Sequence, residues 1–182
     1  MGDLPPTFET ERLSLIPVDL PFAEAVEQGT DALAQHLGAP VADGFPESPG
    51  MYRYVAAMLR EDPALARWLA WSMRDRTSGT VIGDLGFHGP PTTDRTVEIG
   101  YSVAPAWRNR GIATEALAAF LAWAKAIPEL TAIRAEAEST NAPSLAILRG
   151  LGFVQTGTYV DPADSADLTT FILPLTESAD RR

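Results

Sequence analysis

The stretch Arg108-Asn109-Arg110-Gly111-Ile112-Ala113-Thr114-Glu115-Ala116 lies where one periodicity gives way to another. Before it, over Arg95–Val103, Val97, Ile99 and Tyr101 alternate with Thr96, Glu98, Gly100 and Ser102, the period of a strand that Pro105 stops. After it, over Gly111–Ala126, the residues Ile112, Ala116, Leu117, Phe120, Leu121 and Ala124 form one broad apolar stripe of good helix formers that Pro128 ends. A helix start offers up to four N–H groups without an intrahelical partner and the positive end of the helix dipole. Gly111 lets backbone approach a ligand closely, and Arg108 and Arg110 add fixed charge. Together they make a candidate anion site, phosphate in particular. The competing reading of the same spacing is a solvated helix start with ordinary surface arginines. Neither Gly-Lys-Ser/Thr nor Gly-x-Gly-x-x-Gly is present here, which demotes mononucleotide folds.

Outward from this turn the chain reads as alternating short elements. Arg12–Pro17 alternates as a half-buried first strand, Pro21 opens a helix that Gly29 ends, and a second helical piece follows at Asp31–Leu37. Gly38–Gly50 is rich in Pro and Gly and reads as a loop, and Tyr52–Arg60 has helical spacing. Leu65–Arg74 and Thr80–His88 read as a hairpin. Beyond the central helix come a strand at Leu130–Glu138, a helix at Asn141–Gly150, and closing strands at Phe153–Tyr159 and Asp167–Leu175. The order predicts a single α+β domain over residues 1–182, core about 8–175, with loose ends at Met1–Pro6 and Thr176–Arg182. The last strand is apolar and could be an edge that pairs with a second copy, or an edge covered within the chain, so monomer and homodimer both stand.

Composition removes several classes of function. The 182 residues are 46% apolar and 21% charged, ordinary for a globular domain. The longest apolar run, Ala116–Ala124, sits between Glu115 and Lys125 and is far short of the ~20 residues of a membrane span. The N-terminus has no basic segment followed by an apolar one, so a cytoplasmic location is expected. Cysteine is absent and the histidines are His36 and His88, which argues against disulfide frameworks, thiol nucleophiles and a metal site. A net charge of −10 argues against nucleic acid as a partner and slightly favours a cationic one.

Arg108-x-x-Gly111-x-Ala113 resembles the Arg/Gln-x-x-Gly-x-Gly/Ala signature of the GNAT superfamily of acyl-CoA-dependent N-acyltransferases. Thr10-Glu11-Arg12-Leu13, Val81-Ile82-Gly83 with Gly86-Phe87, Glu98-Ile99-Gly100-Tyr101, Asn141-x-x-Ser144 and Leu151-Gly152-Phe153 fall in register and are similar to its RimJ/RimL-type branch, over roughly residues 8–175. The resemblance implies a mixed, mostly antiparallel sheet of about seven strands with helices on both faces and splayed central strands. It implies acetyl-CoA as co-substrate, with Arg108, Asn109, Arg110, Gly111, Ile112, Ala113 and Thr114 cradling the pyrophosphate. Backbone of Tyr101, Ser102 and Val103 would pair with pantetheine, as would the side chain of Asn141. It further implies direct transfer to a primary amine, either a protein N-terminus or a small molecule, with Glu98 as general base and Ser144 near the sulfur as proton donor.

Two positions depart from that pattern. Where relatives carry a tyrosine acid, four residues after Ser144, this chain has Leu148, and Gly150 replaces a lysine before the Leu-Gly-Phe turn. The first departure motivates an alternative, a non-catalytic acyl-CoA-binding or regulatory module of the same fold. Without Cys or a Ser-His-Asp order, a covalent route has no nucleophile. His88 could line an acceptor cleft but reads first as structural or exposed, and His36 likewise. Trp68, Trp71, Trp107 and Trp123 read as packing, with Trp107 able to cover part of the cofactor, and Tyr52-Arg53-Tyr54 falls where the acceptor pocket is shaped in relatives.

Overall fold

A computed structural model describes residues 5–163 and 165–175. Of the ends expected to be loose, residues 1–4 of Met1–Pro6 and all of Thr176–Arg182 lie outside the described residues. In chain order the elements are β1 (Phe8–Glu9), β2 (Leu13–Pro17), α1 (Leu20–Gln28), α2 (Thr30–Leu37) and α3 (Pro49–Glu61). They continue with β3 (Ala70–Asp75), β4 (Val81–Phe87), β5 (Thr96–Val103), α4 (Ile112–Ala124), β6 (Ala132–Glu138), α5 (Ala142–Gly150), β7 (Val154–Val160) and β8 (Asp167–Pro174). They build one eight-stranded sheet in the order β1-β2-β3-β4-β5-β6-β8-β7, antiparallel throughout except where β5 runs parallel to β6.

Local chemistry explains the boundaries. Asp19 caps α1 by accepting from the Phe22 N–H at 2.9 Å, with Pro21 in the first turn. Gly111, at φ +74°, sits in the left-handed region at the entry to α4, a conformation that would strain a side-chain-bearing residue. Asn141 caps α5, its side chain accepting from the Ser144 N–H at 3.2 Å.

Three sequence expectations change. The strand expected from Leu65 begins at Ala70, because Pro63–Trp68 winds into a 3₁₀ helix whose start is held by the Asp62 carboxylate accepting from the Ala64 N–H. The sheet has eight strands rather than about seven, because Phe8–Glu9 adds a short edge; Phe8 stacks on Trp71 with ring centroids 4.9 Å apart. The closing strand is not an edge. β8 lies between β6 and β7, so both of its edges are paired within the chain, the second of the two readings, and β7 is outermost.

Two cores flank the sheet. On one face Val97, Ile99 and Val103 of β5 pack with Ile112, Leu117, Phe120 and Leu121 of α4 and with Leu148 of α5. Trp68 and Trp71 join this cluster, and the Trp71, Phe87, Phe120 and Trp123 rings meet in it at 5.0–6.3 Å. The second core gathers α1, α2 and α3 around Phe22, Leu33, Phe45, Tyr52 and Val55.

The feature that positions the site is a loss of pairing. β5 pairs with β6 only from Thr96↔Ala132 to Ile99↔Ala135, and then the two strands separate, while β5 stays paired with β4 through Val103. The Glu98 carbonyl accepts from the His88 N–H and the Ala104 N–H donates to the Ile82 carbonyl, so the even-numbered residues of β5 turn their backbone toward β4. Tyr101 and Val103 therefore turn their backbone groups into the gap. The side chains of β5 divide the other way: Gly100 and Ser102 share the face of α3, Tyr101 the face of α5.

Candidate active site

Two cavities open on the gap, one from each face of β5. A cavity of about 570 Å³ on the α4 and α5 side is lined by Tyr101, Ser102, Val103, Arg108, Asn109, Gly111, Ile112, Ala113, Thr114, Asn141 and Ser144, among others. All the residues expected to bind cofactor are in this lining except Arg110. The Arg110 guanidinium lies 5.4 Å from the Trp107 ring centroid, and Trp107 itself lines the cavity.

The loop at the mouth is braced from the far end of the chain. Arg12 donates from Nη1 to the Arg110 carbonyl at 2.8 Å and from Nε to Glu115 Oε2 at 2.6 Å. The backbone N–H of Arg12 and the hydroxyl of Thr10 both donate to Glu115 Oε1, at 2.9 and 2.5 Å. The Thr10-Glu11-Arg12 motif is thus a clamp on the first turn of α4. Burial alone would raise the Glu115 pKa, but the donors of Thr10 and Arg12 outweigh it and hold the carboxyl below its ordinary range. Arg108 is likewise anchored, donating from Nε to the Val103 carbonyl at 2.7 Å and from Nη2 to Glu47 at 3.0 Å.

Ser144 and Tyr101 meet across this cavity, their hydroxyl oxygens 2.8 Å apart. Burial pushes the Tyr101 phenol up and the Ser144 hydroxyl pulls in the other direction; the net shift is upward, so the phenol stays protonated at neutral pH. Leu148, in the position where relatives carry a tyrosine, is buried in the core and lines neither cavity. The phenol beside Ser144 comes from the strand instead.

A second cavity of about 680 Å³ opens on the α3 side, lined by Met51, Tyr54, Val55, His88 and Gly100, with Glu136 and Glu138 across the gap. Glu47, Tyr101 and Ser102 line both cavities, which makes them the boundary between the two. Its wall holds a network that sequence reasoning missed: Asp84, 5% exposed, accepts from the Tyr52 hydroxyl at 2.9 Å and from the Ser102 hydroxyl at 2.8 Å. Burial pushes the Asp84 carboxyl up against the pull of both hydroxyls, with Glu47 adding to the rise. The signal available was a lone carboxylate inside the otherwise apolar run Val81–Phe87.

Glu98 lines neither cavity. Its carboxylate is 2.9 Å from His88 Nδ1, and His88 is the member of the pair that faces the α3-side cavity. Thus His88, read first as structural or exposed, sits in the cleft, while His36 is exposed at the end of α2. Among the described residues no cluster of His, Cys, Asp and Glu could hold a metal ion, and no helix is long and apolar enough to cross a membrane.

Comparison with known proteins places this geometry in a class. The profile of the acetyltransferase (GNAT) domain matches residues 21–154. The chain is 28% identical over 155 residues to the uncharacterized N-acetyltransferase YoaA of Bacillus subtilis, covering 84% of this chain and 85% of that protein. The fold is shared with the ribosomal-protein-S5-alanine acetyltransferase of Vibrio fischeri, at a TM-score of 0.69 and 18% identity over 93% of this chain and 97% of that one. It is shared also with RimL, the ribosomal L7/L12 alpha-N-protein acetyltransferase, solved in complex with coenzyme A, at a TM-score of 0.68 and 16% identity over 93% and 98%. The chain belongs to the GNAT acetyltransferase family.

Proposed function

We propose that this protein is an acetyl-CoA-dependent N-acetyltransferase of the RimJ/RimL type, acting on a primary amine in a ternary complex. The observation that carries the reading is the meeting of two cavities at the gap between β5 and β6, one framed by a braced helix start and one by α3 and carboxylates. Acetyl-CoA supplies the acetyl group on a thioester. The N–H groups at the start of α4, with Arg108, suit its pyrophosphate, and the backbone of Tyr101 and Val103 suits the amide-bearing arm as an added strand would. Ser102 stands at the boundary of the two cavities with its backbone addressed to β4 and its hydroxyl to Asp84, so it shapes the junction rather than pairing with the arm, and Arg110 contributes through the loop's shape rather than a side chain in the cavity.

The amine enters from the α3 side. Losing a proton at pH 7 costs an α-amine of pKa ~8 about 1.4 kcal/mol and a lysine of pKa ~10.4 about 4.6 kcal/mol. Glu98 belongs to the group that receives that proton. The Ser144 hydroxyl, held by Tyr101, is the donor for the departing sulfur. A protein N-terminus and a small-molecule amine both fit the wall chemistry, and Glu47, Asp84, Glu136 and Glu138 favour a cationic acceptor. We propose a cytoplasmic location for the reaction.

Thermal unfolding with acetyl-CoA, free CoA and ATP tests the reading. A ligand at ~100 times its Kd adds about 2.7 kcal/mol to the native state. A rise in Tm with both CoA species and none with ATP is expected; no rise with either CoA species would overturn it.

A further inference from the structure

The geometry of His88 points beyond the assignment of Glu98 as base, and the inference rests on the acetyl-transfer reading above. His88 directly follows the last residue of β4 and faces Glu98 across the β4–β5 ladder, its N–H donating to the Glu98 carbonyl at 2.9 Å. Its own carbonyl accepts from the Tyr54 hydroxyl at 3.2 Å, so its backbone is held from both β5 and α3. The side chains of such a cross-strand pair lie on one face, which brings His88 Nδ1 to 2.9 Å from the Glu98 carboxylate.

That contact decides the tautomer. A carboxylate accepting at Nδ1 requires the proton on Nδ1, which leaves Nε2 with a free lone pair on the far side of the ring. The far side is Gly100. A Cβ built on Gly100 would lie 2.4 Å from His88 Nε2 and 3.3 Å from Cε1, so the ring occupies the space a side chain would take. Gly100 lines the α3-side cavity beside Tyr101, the residue whose backbone faces the gap. The imidazole nitrogen that can accept a proton therefore rests on the strand one residue from the junction of the two cavities. Glu98, 40% exposed and outside both linings, stands behind the ring.

We propose that His88 is the general base of the acetyl transfer and that Glu98 is the positioning residue that fixes its tautomer and steadies its imidazolium. The acceptor ammonium gives one proton to His88 Nε2, directly or through one water. The free amine then forms the N–C bond as the C–S bond breaks. As the C–S electrons pass to sulfur, Ser144 gives the sulfur its proton, the second amine proton restores the Ser144 hydroxyl through water, and His88 returns its own proton to solvent. The balance is R–NH3⁺ plus acetyl-CoA giving the amide, CoA thiol and one H⁺. Gly100 has a role in the same device, since a larger residue would evict the ring.

The test separates binding from turnover, using titration of acetyl-CoA alongside steady-state CoA release with alanyl and seryl peptides and an alkyl polyamine as acceptors. His88→Gln is expected to hold acetyl-CoA affinity within about twofold while kcat falls roughly 10²–10⁴-fold. The acid limb of the kcat/KM pH profile should vanish. The titratable groups facing the ring are Glu98 on β5 and Tyr54 on α3, with Glu136 and Glu138 across the gap on β6, Asp84 in the wall, and Arg134 acting on Glu98. Glu98→Gln is expected to keep the limb but move it to lower pH with a smaller fall in kcat, because the imidazolium loses its counter-charge. Gly100→Ala should lower kcat with affinity retained. If His88→Gln keeps both kcat and the limb while Glu98→Gln loses them, Glu98 is the base and the proposal is overturned. If unsubstituted protein does not bind acetyl-CoA, the acetyl-transfer reading fails first and takes the base with it.

Discussion

The two sides of β5 are built on different principles. The α4 and α5 side is made of backbone: the strand gap at Tyr101 and Val103, the left-handed turn at Gly111 and a helix start, all within a few residues of sequence. The α3 side is made of side chains drawn from separate elements, Tyr54, Asp84, His88, Gly100, Glu136 and Glu138. Backbone recognition needs particular conformations and so leaves a local sequence trace. Side-chain recognition depends on which strands the topology brings together. A cofactor common to a family suits the first kind of wall, and an acceptor that varies suits the second.

The sharpest way to separate the two sides is to remove the hydroxyl that meets Tyr101 from the α5 side. Ser144→Ala is expected to lower turnover by ~10²-fold or more with acetyl-CoA affinity held, because the donor acts only as the sulfur leaves. Equal losses in titrated affinity and kcat would instead make Ser144 a binding residue of the cofactor side. Tyr101→Phe should follow it in direction, with a smaller fall, since it removes the partner that orients Ser144.

The brace is the next test, and it reads stability. Glu115→Ala leaves the Arg12 and Thr10 donors without their acceptor and is expected to cost about 1–3 kcal/mol near neutral pH in denaturant unfolding. The sign with pH follows from the depressed pKa. The carboxylate's contribution is fully present above the ordinary value of 4.5 and is lost as pH falls through the lower folded value. Parent and variant should therefore converge in Tm once the pH has fallen through that depressed folded value. A constant gap across pH would mean that packing, rather than the ionised clamp, supplies the stability.

These two regions also differ in how far the sequence disclosed them. The period-two run at Thr96–Val103 and the apolar stripe of α4 were legible because each element carries its own periodicity, and the Asn141 cap was legible from its position. The 3₁₀ helix at Pro63–Trp68 was not, since six residues show too little of either period to tell helix from strand. The Asp84–Tyr52 contact joins positions 32 residues apart, and the Thr10–Glu115 contact spans 105, so local sequence names neither pair of partners, even though Asp84 stands out in its apolar run. His88 was read as an isolated histidine because its partner lies across a hairpin whose register only the structure fixes.

Two smaller changes sharpen the cofactor side. Gly111→Val places a branched residue at φ +74°, a strain of roughly 1–2 kcal/mol that the free turn relaxes by leaving this conformation and acetyl-CoA must restore, expected as about a tenfold weaker titration. Unchanged affinity would remove this turn from the binding surface. Glu47→Gln releases Arg108 from an ion pair whose side chains are 45% and 55% exposed, a bond worth about 0.2–1 kcal/mol. Acetyl-CoA affinity should rise, by fivefold at most, and the gain should shrink with added salt.

The central claim is that cofactor and acceptor approach β5 from opposite faces and meet at Tyr101 and Ser102. The most direct measurement is the backbone amide spectrum of the protein as CoA is added. The account predicts the largest shifts at Tyr101, Val103 and Gly111–Thr114, with Met51–Val55 of α3 and His88 little changed. Shifts centred on α3 and His88, with the α4 turn unmoved, would contradict it.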